Sequence, residues 1–197
     1  MPKIVDHDVQ RLQLSATVAR VVAEDGLDYA SLRTVAARHG CTKGMVQHYF
    51  DNKGDLLLAA LEYIEACCAI RLENATLDKQ SALDALITQL NARLPLDEER
   101  LGEWAVRIAF MSRVGQNREI HHTLFNAQQD RQREGLRLLR QAQKASQLRK
   151  SLSPANAYRL LNTLVEGMAL AVVGGDEQWS AAVQKRTLKD AVDSLRR

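Results

Sequence analysis

Apolar residues recur along this chain at steps of three and four rather than two, which predicts helices throughout and no strands. In the first segment Val9, Leu12, Ala16, Ala19 and Ala23 share one helical face, and the helix is expected to stop near Gly26. Ser31 stands where an N-cap belongs. Behind it Leu32, Val35 and Ala36 form a short stripe that stops at Gly40, a residue suited to a left-handed exit. Thr42 is placed to cap a third helix, with Val46, Tyr49 and Phe50 on its inner side and a turn at Asp51-Asn52 after it. A helix, a three-residue turn and a second helix form a helix-turn-helix.

From Asn52 a longer helix carries Leu56, Leu57, Ala60, Leu61 and Ile64 toward Leu72. Further helices are expected at roughly 79–94, stopped by Pro95, at roughly 97–115, stopped by Gly115, and over a very polar stretch at roughly 118–148. Ser153-Pro154 is a good helix start, because proline at the first helical position forfeits no intrahelical hydrogen bond. Behind it Ala157, Leu160, Leu161, Leu164, Val165, Met168, Ala169 and Val172 make an almost unbroken stripe that ends at Gly174-Gly175. A last helix, roughly 178–195, presents Trp179, Ala182, Val183, Leu188, Val192 and Leu195. The expected fold class is all-α with about nine helices, divided into an N-terminal three-helix helix-turn-helix head over residues 1–54 and a C-terminal helical bundle over 55–197.

Composition narrows the setting. With 46% hydrophobic and 26% charged residues and only three prolines and ten glycines, the chain has the make-up of a soluble protein of long helices. No run is apolar and long enough to span a membrane, and the first twenty residues are too charged for a signal peptide, so a cytoplasmic protein is expected. Cys41, Cys67 and Cys68 are odd in number and lack a Cys-x-x-Cys spacing, which predicts reduced thiols, no disulfide framework and no metal site. The net charge of +3 suggests nucleic acid until its distribution is checked: residues 1–56 hold seven Lys/Arg against seven Asp/Glu. The surplus lies further along, notably in the basic stretch Arg131 to Lys150, which reads as a solvated helix face.

The informative segment runs from Gly26 to Leu57: helix two from Ser31, a turn through Gly40-Cys41-Thr42, helix three ending His48-Tyr49-Phe50, then Asp51-Asn52-Lys53-Gly54-Asp55-Leu56-Leu57. Over residues 9–60 this order resembles the DNA-binding head of the TetR family of transcriptional repressors. In such a unit the third helix lies in the major groove, where each base pair shows a distinct donor and acceptor pattern. Thr42, Lys43, Gly44 and Gln47 fall on its leading face. Gly44 lets the backbone approach base edges, and Gln47 can bind an adenine edge with two hydrogen bonds. The resemblance further implies that Arg33 reaches a guanine, and that Ser31, Thr42, His48, Tyr49 and Lys53 hold phosphates, which position the head without reading sequence.

The body, with Asn117-Arg118-Glu119 before the long polar helix and Leu164-Val165-Glu166-Gly167-Met168 within the apolar one, is similar to the TetR subgroup typified by the choline-responsive repressor. What this implies is a homodimer on a palindromic double-stranded operator, released by a small-molecule effector of unknown identity, with no cofactor, metal or membrane partner. Leu160, Leu161, Leu164 and Met168 are the expected dimer contacts, in a bundle formed with the 118–148 helix. A ligand pocket is typically apolar with a few placed polar groups, and Trp104, Arg107, Phe110, His121, Phe125 and Glu166 are its expected lining. No Ser-x-x-Lys pair, nucleophile elbow, phosphate loop or His-Glu-x-x-His occurs, so no enzyme is expected. The alternative is a nonspecific, architectural DNA binder or a helical interaction protein without effector.

Overall fold

The computed structural model describes residues 7–76, 81–113 and 117–196. Among them are nine helices and no strand: α1 (His7–Asp25), α2 (Leu32–His39), α3 (Lys43–Tyr49), α4 (Lys53–Thr76), α5 (Ala82–Arg93), α6 (Glu98–Met111), α7 (Arg118–Lys144), α8 (Pro154–Val173) and α9 (Ala181–Asp193). No helix of the described residues is long and apolar enough to cross a membrane.

The ends are set by local chemistry. Ser31, Thr42, Ser81, Ser153 and Ser180 each accept, through the side-chain oxygen, a backbone N–H of the first turn that the helix leaves without a partner. At α4 the cap is reciprocal: Asn52 Oδ1 accepts from Asp55 N, and Asp55 Oδ2 accepts from Asp51 N. Helix α6 stops at Met111 rather than at Gly115, which lies outside the described residues. α7 stops at Lys144, where Ser146 turns to φ 59°.

The chain packs as two compact units. One comprises residues 7–67 and 105–124, the other residues 68–104 and 125–196, omitting those not described. The first has a core of Leu14, Val18, Val21 and Val22 from α1, Val35 from α2, Val46 and Phe50 at α3, Leu56, Leu61 and Ile64 from α4, and Val106 and Phe110 from α6. Burying a Leu, Val or Phe side chain contributes roughly 1.5–3 kcal/mol, so this cluster holds α3 in place. The buried face of α1 is therefore not Val9, Leu12, Ala16, Ala19 and Ala23. Val9 and Leu12 stand in solvent at 49% and 55% exposure, and only Ala19 of that set is fully buried. Two stripes of helical spacing overlap on α1, and the one richer in branched side chains faces the core because it removes more apolar area from water.

In the second unit α5, α8 and α9 pack together, with Leu83, Leu86 and Leu90 of α5, Leu161, Val165 and Met168 of α8, and Leu188 and Val192 of α9 buried. Here too the sequence stripe needs correction. Trp179 precedes α9, Ala182 is exposed, and the place on the inner face belongs to Gln184, whose amide donates to the carbonyls of Trp179 and Pro95 at 2.9 and 3.4 Å.

Candidate functional site

Helix α3 is seven residues long, too short to be stable alone, and its orientation comes from its neighbours. Gly40 ends α2 in the left-handed conformation at φ 77°, and Cys41 N closes back onto Ala36 O at 3.0 Å, a Schellman-type exit that turns the chain toward α3. Val46 and Phe50 then anchor the inner side at 0% exposure, leaving Lys43, Gly44, Gln47 and His48 exposed on the opposite side. A Cβ built on Gly44 meets only Thr42 Oγ1 at 3.9 Å, so the open surface there is not required by packing within the chain.

A residue the sequence reading passed over braces this helix. Arg11 of α1 donates to the Tyr49 carbonyl, lies 4.7 Å from the Phe50 ring centroid and reaches Asp55 Oδ1 at 3.4 Å, tying the end of α3 to the start of α4. Its side chain fills an acceptor that α3 leaves open at its C-terminus, where a cation is also favoured by the helix dipole. The signal available in the sequence was an arginine, one of two in α1, placed among Val9, Leu12 and Leu14, and that spacing alone does not name a partner.

The other expected contacts fall around the same face. Thr42 and Arg33 are exposed and Ser31 is half-buried; both hydroxyls cap their helices, and that of Ser31 also shares a hydrogen bond with the Thr34 hydroxyl at 2.8 Å. Tyr49 is half-buried, its ring 4.6 Å from His7 and 5.2 Å from His48. Lys53 Nζ donates to the Asp28 carbonyl at 2.9 Å, and two of its N–H groups are left over. Ion pairing changes the meaning of the balanced charge. Arg38 holds Glu24 and Asp25, Arg11 holds Asp55, and Arg113, two residues past α6, holds Asp28, so several acids are already paired, whereas Lys43 and Arg33 make no ion pair among the described residues.

The residues expected to line a pocket are divided between the two units. Arg107 and Phe110 belong to the first unit, where Phe110 is in the core at 0% exposure and Arg107 Nε donates to Glu65 Oε1 at 2.7 Å, both side chains 7% exposed. His121, also of that unit, is exposed with its ring 6.0 Å from that of His122. Trp104, Phe125 and Glu166 belong to the second unit. There Trp104 is buried and donates through Nε1 to the Arg93 carbonyl at 2.6 Å, Phe125 is exposed, and Glu166 accepts from Asn162. Of the four expected dimer contacts on α8, Leu161 and Met168 are buried within their own subunit, Leu160 is 57% exposed and Leu164 half-buried.

A short capped helix with one anchored apolar side and one exposed polar side, joined by a tight turn to the helix before it and followed by a helical body, defines a helix-turn-helix DNA-binding regulator. Residues 14–60 match the model for bacterial regulatory proteins of the tetR family, and residues 82–197 match that described as BetI-type transcriptional repressor, C-terminal. The chain belongs to the TetR family of transcriptional regulators. It is 25% identical to the HTH-type transcriptional regulator PksA of Bacillus subtilis over 99% of this chain and 94% of that protein. It is 35% identical to the regulator BetI of Proteus mirabilis, but over 65 residues only, 33% of this chain and 32% of that one. Its fold is shared with a transcriptional regulator from Rhodococcus (TM-score 0.81, 24% identity, 97% and 96% of the two chains). It is also shared with a regulator from Saccharomonospora viridis solved in complex with choline (TM-score 0.88, 20% identity, 94% and 96%).

Proposed function

We propose that this protein is a cytoplasmic, ligand-responsive repressor that binds a palindromic operator as a homodimer and is released by a small-molecule effector. The observation that carries the reading is the outward face of α3, where Lys43, Gly44, Gln47 and His48 are exposed while Val46 and Phe50 are buried. Thr42, Lys43, Gly44 and Gln47 read bases, Arg33 reaches a guanine, and Ser31, Thr42, His48, Tyr49 and Lys53 seat the head on phosphates. One head makes few contacts, and pairing two of them is what gives useful affinity at physiological salt. The partner is a second copy, met through the outer face of α8, where Leu160 and Leu170 are 57% and 59% exposed with half-buried Leu164 between them. Effector uptake by the body shifts α4, and the two recognition helices then miss successive major grooves, which lie roughly 34 Å apart.

The test is a fluorescence anisotropy titration on a palindrome selected from random DNA, repeated at each of several fixed salt concentrations. Lys43→Ala with Gln47→Ala is expected to remove the preference for that palindrome over scrambled DNA while leaving the oligomeric state unchanged. Lys43→Ala alone is expected to lower the salt slope by about two, one for each copy in the dimer. A wild-type protein with steep salt dependence and no sequence preference would instead establish the architectural binder. Leu160→Glu with Leu164→Glu is expected to give monomers in sedimentation; an unchanged dimer would remove α8 from the interface.

A further inference from the structure

The second unit contains a buried polar cluster that no part of DNA reading requires. Arg93, the last residue of α5, is 7% exposed, and its Nη2 donates to Asn162 Oδ1 at 2.8 Å. Asn162 Nδ2 in turn donates to Glu166 Oε1 at 2.8 Å, which fixes the amide so that its oxygen faces the guanidinium. Tyr158, one turn before Asn162 on the same face of α8, is 5% exposed. Its ring lies over Gly135 of α7 so closely that a Cβ there would be 2.4 Å from Cε2. The Tyr158 hydroxyl closes no hydrogen bond of good geometry.

A guanidinium cannot lose its proton in a protein, and burying it is costly unless it meets an opposite charge. Arg93 meets a neutral amide. Among the described residues it forms no ion pair, and Glu166 sits one hydrogen bond further on, behind Asn162. Arg131 of α7 acts on both Arg93 and Tyr158 with the same sign as Arg93 itself. Burial, followed by this neighbouring charge, draws the Arg93 pKa below its ordinary value, and burial raises that of Tyr158. The cluster therefore presents a planar fork of donors, a phenol beside it whose O–H is not donated, and positive charge, in a place screened from water. An anion completes it, whereas a quaternary ammonium would bring a further positive charge beside the Arg93 guanidinium.

We propose that Arg93 and Tyr158 form the recognition subsite for a carboxylate group of the effector, the guanidinium binding it through two parallel N–H donors and the phenol donating a third hydrogen bond. The subsite deepens the effector-responsive reading above and rests on it for its role. Asn162 and Glu166 are positioning residues that hold Arg93. The effector of this chain is thus an organic acid, whatever the ligand of its choline-bound structural relative.

Acetate is the probe, because it carries the carboxylate and little else. The Arg93 Nε–H resonance, assigned by its loss in Arg93→Lys, is followed in the full-length protein at constant ionic strength with chloride as the balancing anion. A saturable shift with acetate is expected, weakened at least threefold in Tyr158→Phe and absent with tetramethylammonium. A linear, non-saturating response, saturation by tetramethylammonium, or an acetate affinity unchanged in Tyr158→Phe would overturn the subsite. Operator titrations on the same samples keep the two readings apart. Sequence-specific operator binding without acetate saturation sinks the subsite alone, and acetate saturation without any operator preference sinks the repressor alone.

Discussion

The Glu65–Arg107 pair offers the sharpest test of how the first unit is held. Both side chains are 7% exposed, the Nε···Oε1 distance is 2.7 Å, and the pair joins α4 to α6. Replacing Glu65 by Ala takes away the carboxylate that the buried Arg107 Nε meets, which costs about 3–5 kcal/mol, a large share of the roughly 5–15 kcal/mol that stabilises an ordinary protein. For a chain of this length roughly 2–4 °C is lost per kcal/mol, so a fall in Tm of about 6–20 °C is expected. Replacing both partners by apolar residues of similar size, Glu65→Leu with Arg107→Met, removes both buried charges as well as their attraction, and stability is expected to return to within about 1 kcal/mol of wild type or above it. Urea unfolding at one fixed protein concentration measures all four members of the cycle, concentration being held because subunit association would shift every midpoint. A single substitution costing under about 1 kcal/mol, or a double one as unstable as the two singles added, would refute the claim that the pair is dry and coupled.

Two glycines of the head separate folding from DNA binding. Gly40→Ala forces a left-handed φ on a residue with a Cβ and is expected to lower stability by about 1–2 kcal/mol in thermal unfolding. Gly44→Ala meets open space and is expected to leave the melting curve in place while weakening operator binding; a protein destabilised as much as by Gly40→Ala would show that Gly44 serves the fold. Acid stability follows from Asp97 and Glu134, whose pKa values are held down chiefly by hydrogen bonds from Arg100 and Arg137. Because the folded values are the lower ones, their contribution is complete above the ordinary carboxyl range near about 4 and is lost as the pH falls through the lowered values. Arg100→Gln is expected to flatten that decline in unfolding followed from pH 6 to 2; an unchanged profile would remove Asp97 from the account.

The helices were legible wherever one local rule decided them. Ser31, Thr42 and Ser153 cap because a short side-chain oxygen reaches back to a first-turn N–H, Gly40 exits left-handed because it lacks a Cβ, and Val46 and Phe50 point inward because their spacing leaves α3 a single apolar side. These interactions close within four or five residues, so the sequence alone determines them, and with them the exposed face of Lys43, Gly44, Gln47 and His48. Other choices belonged to tertiary packing. On α1 two stripes of equal spacing competed, and the partners facing the helix chose Leu14, Val18 and Val21 over Val9 and Leu12. Residues 1–56 balance in charge, yet pairs such as Arg11–Asp55, 44 residues apart, decide which cations remain for DNA. Arg93 and Asn162 are 69 residues apart, and neither residue type at its place in a helix announces a buried polar cluster. Periodicity fixes which residues share a face; what that face meets depends on contacts between distant segments, and these exist only once the chain has folded.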